Sequence, residues 1–330
     1  MHCTDMIDNN MEDFLDPSLT QADTIVLKNL LQDVYATATP PGGKDGHSDE
    51  ASMDLLAGLC TEISGKFKPT VFTGWDQKDI RIPDALNKYL LQRYVLWAQG
   101  VVRRGTDVVF LTHIILYLAT SVPSAIYLYS RFSWTHALCH WLMQAYYCGP
   151  FTLMMHNHIH NNGVLAKKYA WFDHTFPYVL EPLMGHTWDS YYYHHVKHHH
   201  VEGNGPDDLS STIRYQRDQL THFLAYVGRF LAFTWIELPL SFLRKGKRVL
   251  AVKSIVSELS SYIAIYLLAT RNFRATVFVL LLPLLQMRIG MMIGNWGQHA
   301  FVDEVEPNSD FRSSITLIDV PVSISAYACS

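Results

Sequence analysis

A chain of 330 residues leaves room for two soluble domains, but 49% hydrophobic and 13% aromatic residues, gathered into long stretches, point to a membrane protein instead. The net charge of −4 comes with no basic patch interleaved with aromatics, so nothing suggests a nucleic-acid partner. Five cysteines, Cys3, Cys60, Cys139, Cys148 and Cys329, are odd in number and hold no C-x-x-C pair, which reads as free thiols in a reducing compartment.

Residues 1–50 are acidic and polar, carry the breaker run Pro40-Pro41-Gly42-Gly43, and are expected to be disordered. They contain neither a basic-then-apolar signal nor an Arg-rich presequence, so insertion into a membrane is expected to come from internal segments. Residues 51–106 show helical patterning around Leu55–Ile63 and Leu86–Ala98 and end on Arg103-Arg104, as expected of cytosolic or interfacial helices. The membrane domain is expected over 107–319. Phe110–Tyr129 is long enough to cross a hydrocarbon core of roughly 30 Å, and the arginine pair before it places its start in the cytosol. Trp134–Met155 returns and ends in MMHNHIHNNG.

Three more apolar stretches follow, His222–Leu243, Ile255–Thr270 and Ala275–Gly294. The first holds Arg229 and Glu237 and runs into Arg244, Lys245, Lys247 and Arg248, which suits an interface-lying helix. The latter two are expected to span. The expected fold is therefore an all-α integral membrane protein of about four transmembrane helices, with cytosolic amphipathic helices carrying a histidine cluster.

That cluster centres on Tyr191–Thr212, YYYHHVKHHHVEGNGPDDLSST, with five imidazoles in seven residues. On an α-helix, at about 100° per residue, His195, His198 and His199 share one face and His200 points elsewhere. His194 lies at the edge of that face and could act as a proton relay. His156 and His160, and likewise Asn295 and His299, are i and i+4 and share a face, while His158 points away. His136 and His140 have the same spacing but sit about 24 Å from His160 along the helix and read as buried hydrogen-bonding residues. The facing groups are His156, His160, His195, His198, His199, Asn295 and His299. One zinc takes four ligands, so seven suggest two metals or one oversupplied one. Imidazole suits iron as well as zinc, and an iron site facing the membrane implies an apolar substrate and dioxygen. Asp207, Asp208 and Asp303 could accept the second ring N–H of the ligands, although Asp207 and Asp208 read equally well as a turn after Gly205-Pro206.

At H-x-x-x-H from His156 to His160, H-x-x-H-H from His195 to His199 and N-x-x-x-H from Asn295 to His299, the chain resembles the membrane fatty acid desaturase superfamily from about Phe110 to Asp319. The resemblance implies a diiron centre, O2, electrons from a cytochrome b5 or a ferredoxin, and a four-crossing helical fold, with an acyl-CoA or membrane lipid as the expected substrate. The crossing count puts the site on the cytosolic face, and the acidic N-terminus without a presequence fits the endoplasmic reticulum, with a bacterial inner membrane as the alternative. The family's first box more often has four intervening residues. Its members also carry a further H-x-x-H-H box, whereas here residues 320–330 read VPVSISAYACS, an atypical tail that suggests a truncated or alternatively spliced product. A fatty acyl desaturase is the leading expectation. Lipid hydroxylation on the same scaffold, and an inactive truncated protein that binds lipid or partners, are the alternatives. A zinc hydrolase is disfavoured by the lack of H-E-x-x-H.

Overall fold

In the computed structural model the described residues are 19, 23–28, 31, 51, 53–58, 69–72 and 82–299. About 79% of the structure is helical, with no strand among the described residues, as the apolar runs require: in lipid each backbone N–H and C=O must bond within its own segment. The chain divides into a unit formed by Met1–Thr112 with Leu317–Ser330 and a unit formed by His113–Thr316. In the first, α1 begins at Asp84–Leu86, passes through a π-turn at Asn87–Leu91 and continues over Gln92–Gln99. It buries Leu91, Val95 and Ala98, the i, i+4, i+7 stripe of an amphipathic helix, and leaves Leu90, Leu96 and Trp97 exposed.

Five long helices make up the rest: α2 (Val108–Ser130), α3 (Trp134–Asn161), α5 (Leu220–Arg244), α6 (Arg248–Arg271) and α7 (Phe273–Thr276, a π-turn at Val277–Leu281, then Leu282–Gln298), with a shorter α4 (Phe176–Leu183) between α3 and α5. Ser133 caps α3 by accepting from the His136 amide, and Asn162 ends it in the left-handed region at φ 59°, as C-terminal Asn does at little cost. Asn272 caps α7 by accepting from the Ala275 amide and donates to the Leu128 and Tyr129 carbonyls. With Ala125, Leu128, Ala137, Ala275 and Val279 in one buried cluster, the end of α2 and the starts of α3 and α7 meet at one end of the bundle. The C-termini of α3 and α7 therefore both arrive at the other end.

Among the described residues four helices are long and apolar enough to cross a membrane: Gly105–Ser130, Leu220–Arg244, Arg248–Arg271 and Phe273–Gln298. The count matches the sequence expectation, but the membership differs, because α5 meets the criterion and α3 does not. α5 does so although it holds Arg229 and Glu237, which pair at 3.0 Å and so do not act as two isolated ions. In α3 the polar residues that lower its average hydropathy face inward. His140 and Gln144 are buried, His136 and His140 both bond Ser124 at 2.8 and 2.9 Å, and Gln144 donates to the Tyr117 hydroxyl at 3.2 Å. Both histidines are thus hydrogen-bonding residues, as their spacing along the helix required.

The acidic residue that counted against Ile255–Thr270 as a span is also compensated. Glu258 of α6 receives Arg288 of α7 at 3.1 Å on both carboxylate oxygens, and the pair is 9% and 13% exposed. A fully paired buried charge is the only economical kind in a bundle core.

Along its whole length α5 touches the histidine-bearing segment. The Tyr226 hydroxyl donates to the Ser210 carbonyl at 3.3 Å, Phe230 lies edge-on to His194 at 5.2 Å and Phe242 to His198 at 6.2 Å, and Lys245 pairs with Glu202.

A buried carboxylate in α4 gives a pH prediction. Burial, reinforced by nearby Asp189, pushes Glu181 well above the usual carboxylate range against the single bond it accepts from the Asp189 amide. A raised folded pKa contributes stability that is complete below the unfolded value of about 4.3 and is lost as pH rises through the folded one. Glu181→Gln should therefore raise thermal stability at pH 8 by about 1–3 kcal/mol, a gain that vanishes toward pH 4. Melting curves of the two proteins across that range test it, and parallel curves would remove Glu181 as the cause.

Candidate metal centre

Two devices bring the central histidines to the bundle end. Gly185, at φ +91°, lies so close to α7 that a Cβ there would come within 2.3 Å of the Pro283 carbonyl oxygen, so only glycine permits this approach. The segment that follows is a π-helix, Tyr192–His199, continued by a single α-turn at His200–Glu202. Gly203 and Asn204 then reverse the chain at φ 56° and 52°, and the Asn204 carboxamide accepts from the Thr212 amide at 2.9 Å to fix the returning strand of the loop.

The π-helix changes which imidazoles meet. His156 and His160 come from the last turns of α3 and lie 4.7 Å apart between ring centroids; His195 lies 4.7 Å from His156 and 5.4 Å from His160. One ligating nitrogen from each of these three falls within 4.8 Å of the others. His200, expected to point elsewhere, joins them: its ring is 4.8 Å from His160, and its Nε2 is 3.0 Å from that of His195. The reason is the helix type. A π-helix repeats at i to i+5, which stacks 195 over 200, whereas α-helical spacing does not. A five-residue histidine separation was the available signal.

His199 sits beside this group, 5.5 Å from His195 and 5.8 Å from His299. Its Nδ1 donates to Asp208 Oδ2 at 2.6 Å, which fixes the tautomer and leaves the lone pair on Nε2. Burial pushes the Asp208 carboxyl up, but the His199 imidazole and the Ser210 amide outweigh it and hold the group well below the usual range. Asp208 is buried, while the neighbouring Asp207 is largely exposed and faces Lys245 at 3.5 Å, so of the two candidate carboxylates only Asp208 holds an imidazole. Asp303 lies outside the described residues.

His198, expected among the ligands, is turned to the loop. Its Nε2 accepts the Leu209 amide at 3.0 Å. Asn295 holds the end of α7 against the same loop, donating to the Ser210 carbonyl at 2.9 Å and the Tyr226 hydroxyl at 2.8 Å. His299 is buried one turn on. His194 stacks on His199 at 6.5 Å and lines a separate cavity, and His158 stacks on Phe176 at 4.9 Å, away from the cluster as expected.

The group suits a metal chemically. Burial, then His156, lowers the pKa of His195, and burial likewise lowers that of His198 against the pull of Asp208; a ligand imidazole must be neutral. Asp208→Asn should keep the bond geometry but reverse its polarity, and a loss of about 10–100-fold in metal affinity is expected. Competition with a chelator of known strength measures this, and an unchanged affinity would leave Asp208 as loop structure only.

No curated protein and no solved structure matches the chain. The sequence model of the fatty acid desaturase family matches residues 132–324, a stretch that begins beside the cap of α3 and takes in His156–His160, the π-helix and the end of α7. The chain therefore belongs to the fatty acid desaturase family.

Proposed function

We propose that the protein is an O2-dependent diiron fatty acyl desaturase of lipid metabolism, and the observation that carries this reading is the convergence of His156, His160 and His195 within 4.8 Å. His156, His160 and His195, with His200 at hand, would hold one iron. His199, His299 and Asn295 would serve the second, with Asp208 orienting His199. His198 keeps its place in the ligand set only if the Leu209 amide is released. The irons would supply the activation of dioxygen needed to take hydrogen from an unactivated methylene.

The substrate end of the reading rests on a narrow apolar cleft of about 10 Å³ lined by His113, Tyr117, Phe151, Met154 and Met184, among others, which an acyl chain would enter by parting these side chains. Met154 is two residues before His156, so an acyl chain seated there would run from the histidine end into the bundle. Its apolar walls exclude water and hold the chain by burial, worth about 0.8 kcal/mol per methylene.

For orientation we take α2, α3, α6 and α7 as the crossings and α5 as lying in the interface, because α5 contacts the histidine segment from Tyr226 to Lys245. The histidine end then faces the cytosol, in the endoplasmic reticulum, where a cytochrome b5-type donor or a ferredoxin could deliver electrons one at a time. Desaturation turns –CH2–CH2– into –CH=CH– while O2, two electrons and two protons become two waters. Mass spectrometry of lipids from a reconstituted system, with and without O2, tests the proposal. A product lacking two hydrogens supports it, a product gaining one oxygen makes the protein a hydroxylase, and no O2-dependent product sinks it.

A further inference from the structure

Beside the π-helix, and lined in part by its His194, lies a second cavity, of about 30 Å³, room for about two waters. Its lining is unusual for the interior of a helical bundle. It includes the Glu258–Arg288 ion pair, the hydroxyl residues Thr187, Ser190 and Thr234, and two histidines, His186 and His194. These two are 7% and 8% exposed, and the Nε2 of each is buried without a hydrogen-bond partner among the described residues. His186 is otherwise fixed by stacking on Tyr191 at 5.1 Å, and Tyr191 in turn packs against His195 at 5.1 Å. The Tyr191 ring thus stands between the cavity and His195.

Two buried imidazole nitrogens that stay dry each carry the desolvation penalty of an unmade hydrogen bond. Both fall in one cavity that also offers hydroxyls and an ion pair, and a polar cavity with several partners is the kind that holds ordered water, whereas an apolar one stays empty. The acyl cavity on the α2–α3 side is the contrast, with an almost wholly apolar lining.

We propose that this cavity is a buried water site, and that it gives the histidine cluster a polar outlet through which the water formed in the reaction leaves. The route rests on the desaturase reading, which requires two waters to depart per double bond from a site whose other side is packed with an apolar chain. The water site itself rests only on the cavity and its orphaned nitrogens.

Hydroxyl-radical footprinting in ¹⁸O water tests the first half, because radicals formed from bound water label adjacent rings that bulk solvent does not reach. Tyr191 and Phe230, buried at 5% and 9% exposure, should be labelled at least ~10-fold faster than Phe176, buried at 0% away from the cavity, if water is resident. Equal rates would mean a dry cavity and overturn the proposal. Thr234→Leu replaces a hydroxyl that lines the cavity with a longer apolar side chain, one methyl-sized group larger. It should suppress labelling at Tyr191 and Phe230, and lower turnover several-fold while bound iron stays unchanged. Suppressed labelling with full turnover would overturn the outlet. A hydrated cavity in a protein that forms no product under O2 and donor would overturn the desaturase reading and the outlet with it, while the water site stands.

Discussion

His195→Ala is expected to lower bound iron and to reduce O2-dependent product formation by at least ~100-fold, beyond the 10–100-fold typical of residues that only support a ligand. His195 is the member of the cluster that touches every other: it lies within 5.5 Å, ring to ring, of His156, His160, His199 and His200. Its removal takes one of three convergent nitrogens, and two imidazoles on one α3 face cannot close a site alone. His158→Ala is the matched control, since His158 lies two residues from both His156 and His160 yet faces Phe176 and the Asp173 carbonyl. It should cost stability and leave metal stoichiometry intact. Metal analysis on both purified variants separates the outcomes; equal iron in His195→Ala and the parent would show that the three imidazoles do not form a site.

The second large effect concerns the bundle itself. Glu258→Ala leaves Arg288 buried without its carboxylate, and breaking such a pair from one side costs roughly 3–5 kcal/mol. Water in the adjoining cavity would screen the orphaned guanidinium and move the loss toward the lower end. Replacing both residues together, as Glu258→Leu with Arg288→Met, should recover most of that loss, because the cost comes from the uncompensated charge and not from the absence of the bridge. Thermal inactivation of the detergent-solubilised proteins reads this directly. A double variant as unstable as the single one would mean that α6 and α7 depend on the ion pair for their register.

Much of the fold was legible because lipid leaves few options. Apolar runs of helical length must be helices, and the i, i+4 pairs His156/His160 and Asn295/His299 fell on real helical ends. What failed did so where the local geometry departs from 3.6 residues per turn or where a partner is distant in sequence. His200 was hidden by the π-helix, whose trace in YYYHHVKHHH is the five-residue separation of His195 and His200. Asp207 and Asp208 differ by one position in a turn whose direction is set by the left-handed Gly203 and Asn204, so the sequence could not say which would meet His199. His198 is drawn to the Leu209 amide, a backbone donor with no side-chain signature. Glu258 counted against its helix until Arg288, thirty residues on, was brought to it. The exchange of α3 for α5 among the apolar spans has the same origin: average hydropathy weighs a polar residue equally whether it faces lipid or a hydrogen-bonding partner.

The measurement closest to the central claim is the metal content of the purified protein, as moles of iron and of zinc per mole of chain. The account predicts iron, about two per chain, held by the cluster around His195 and diminished in His195→Ala. Zinc at about one per chain with no iron, or neither metal bound, would contradict it.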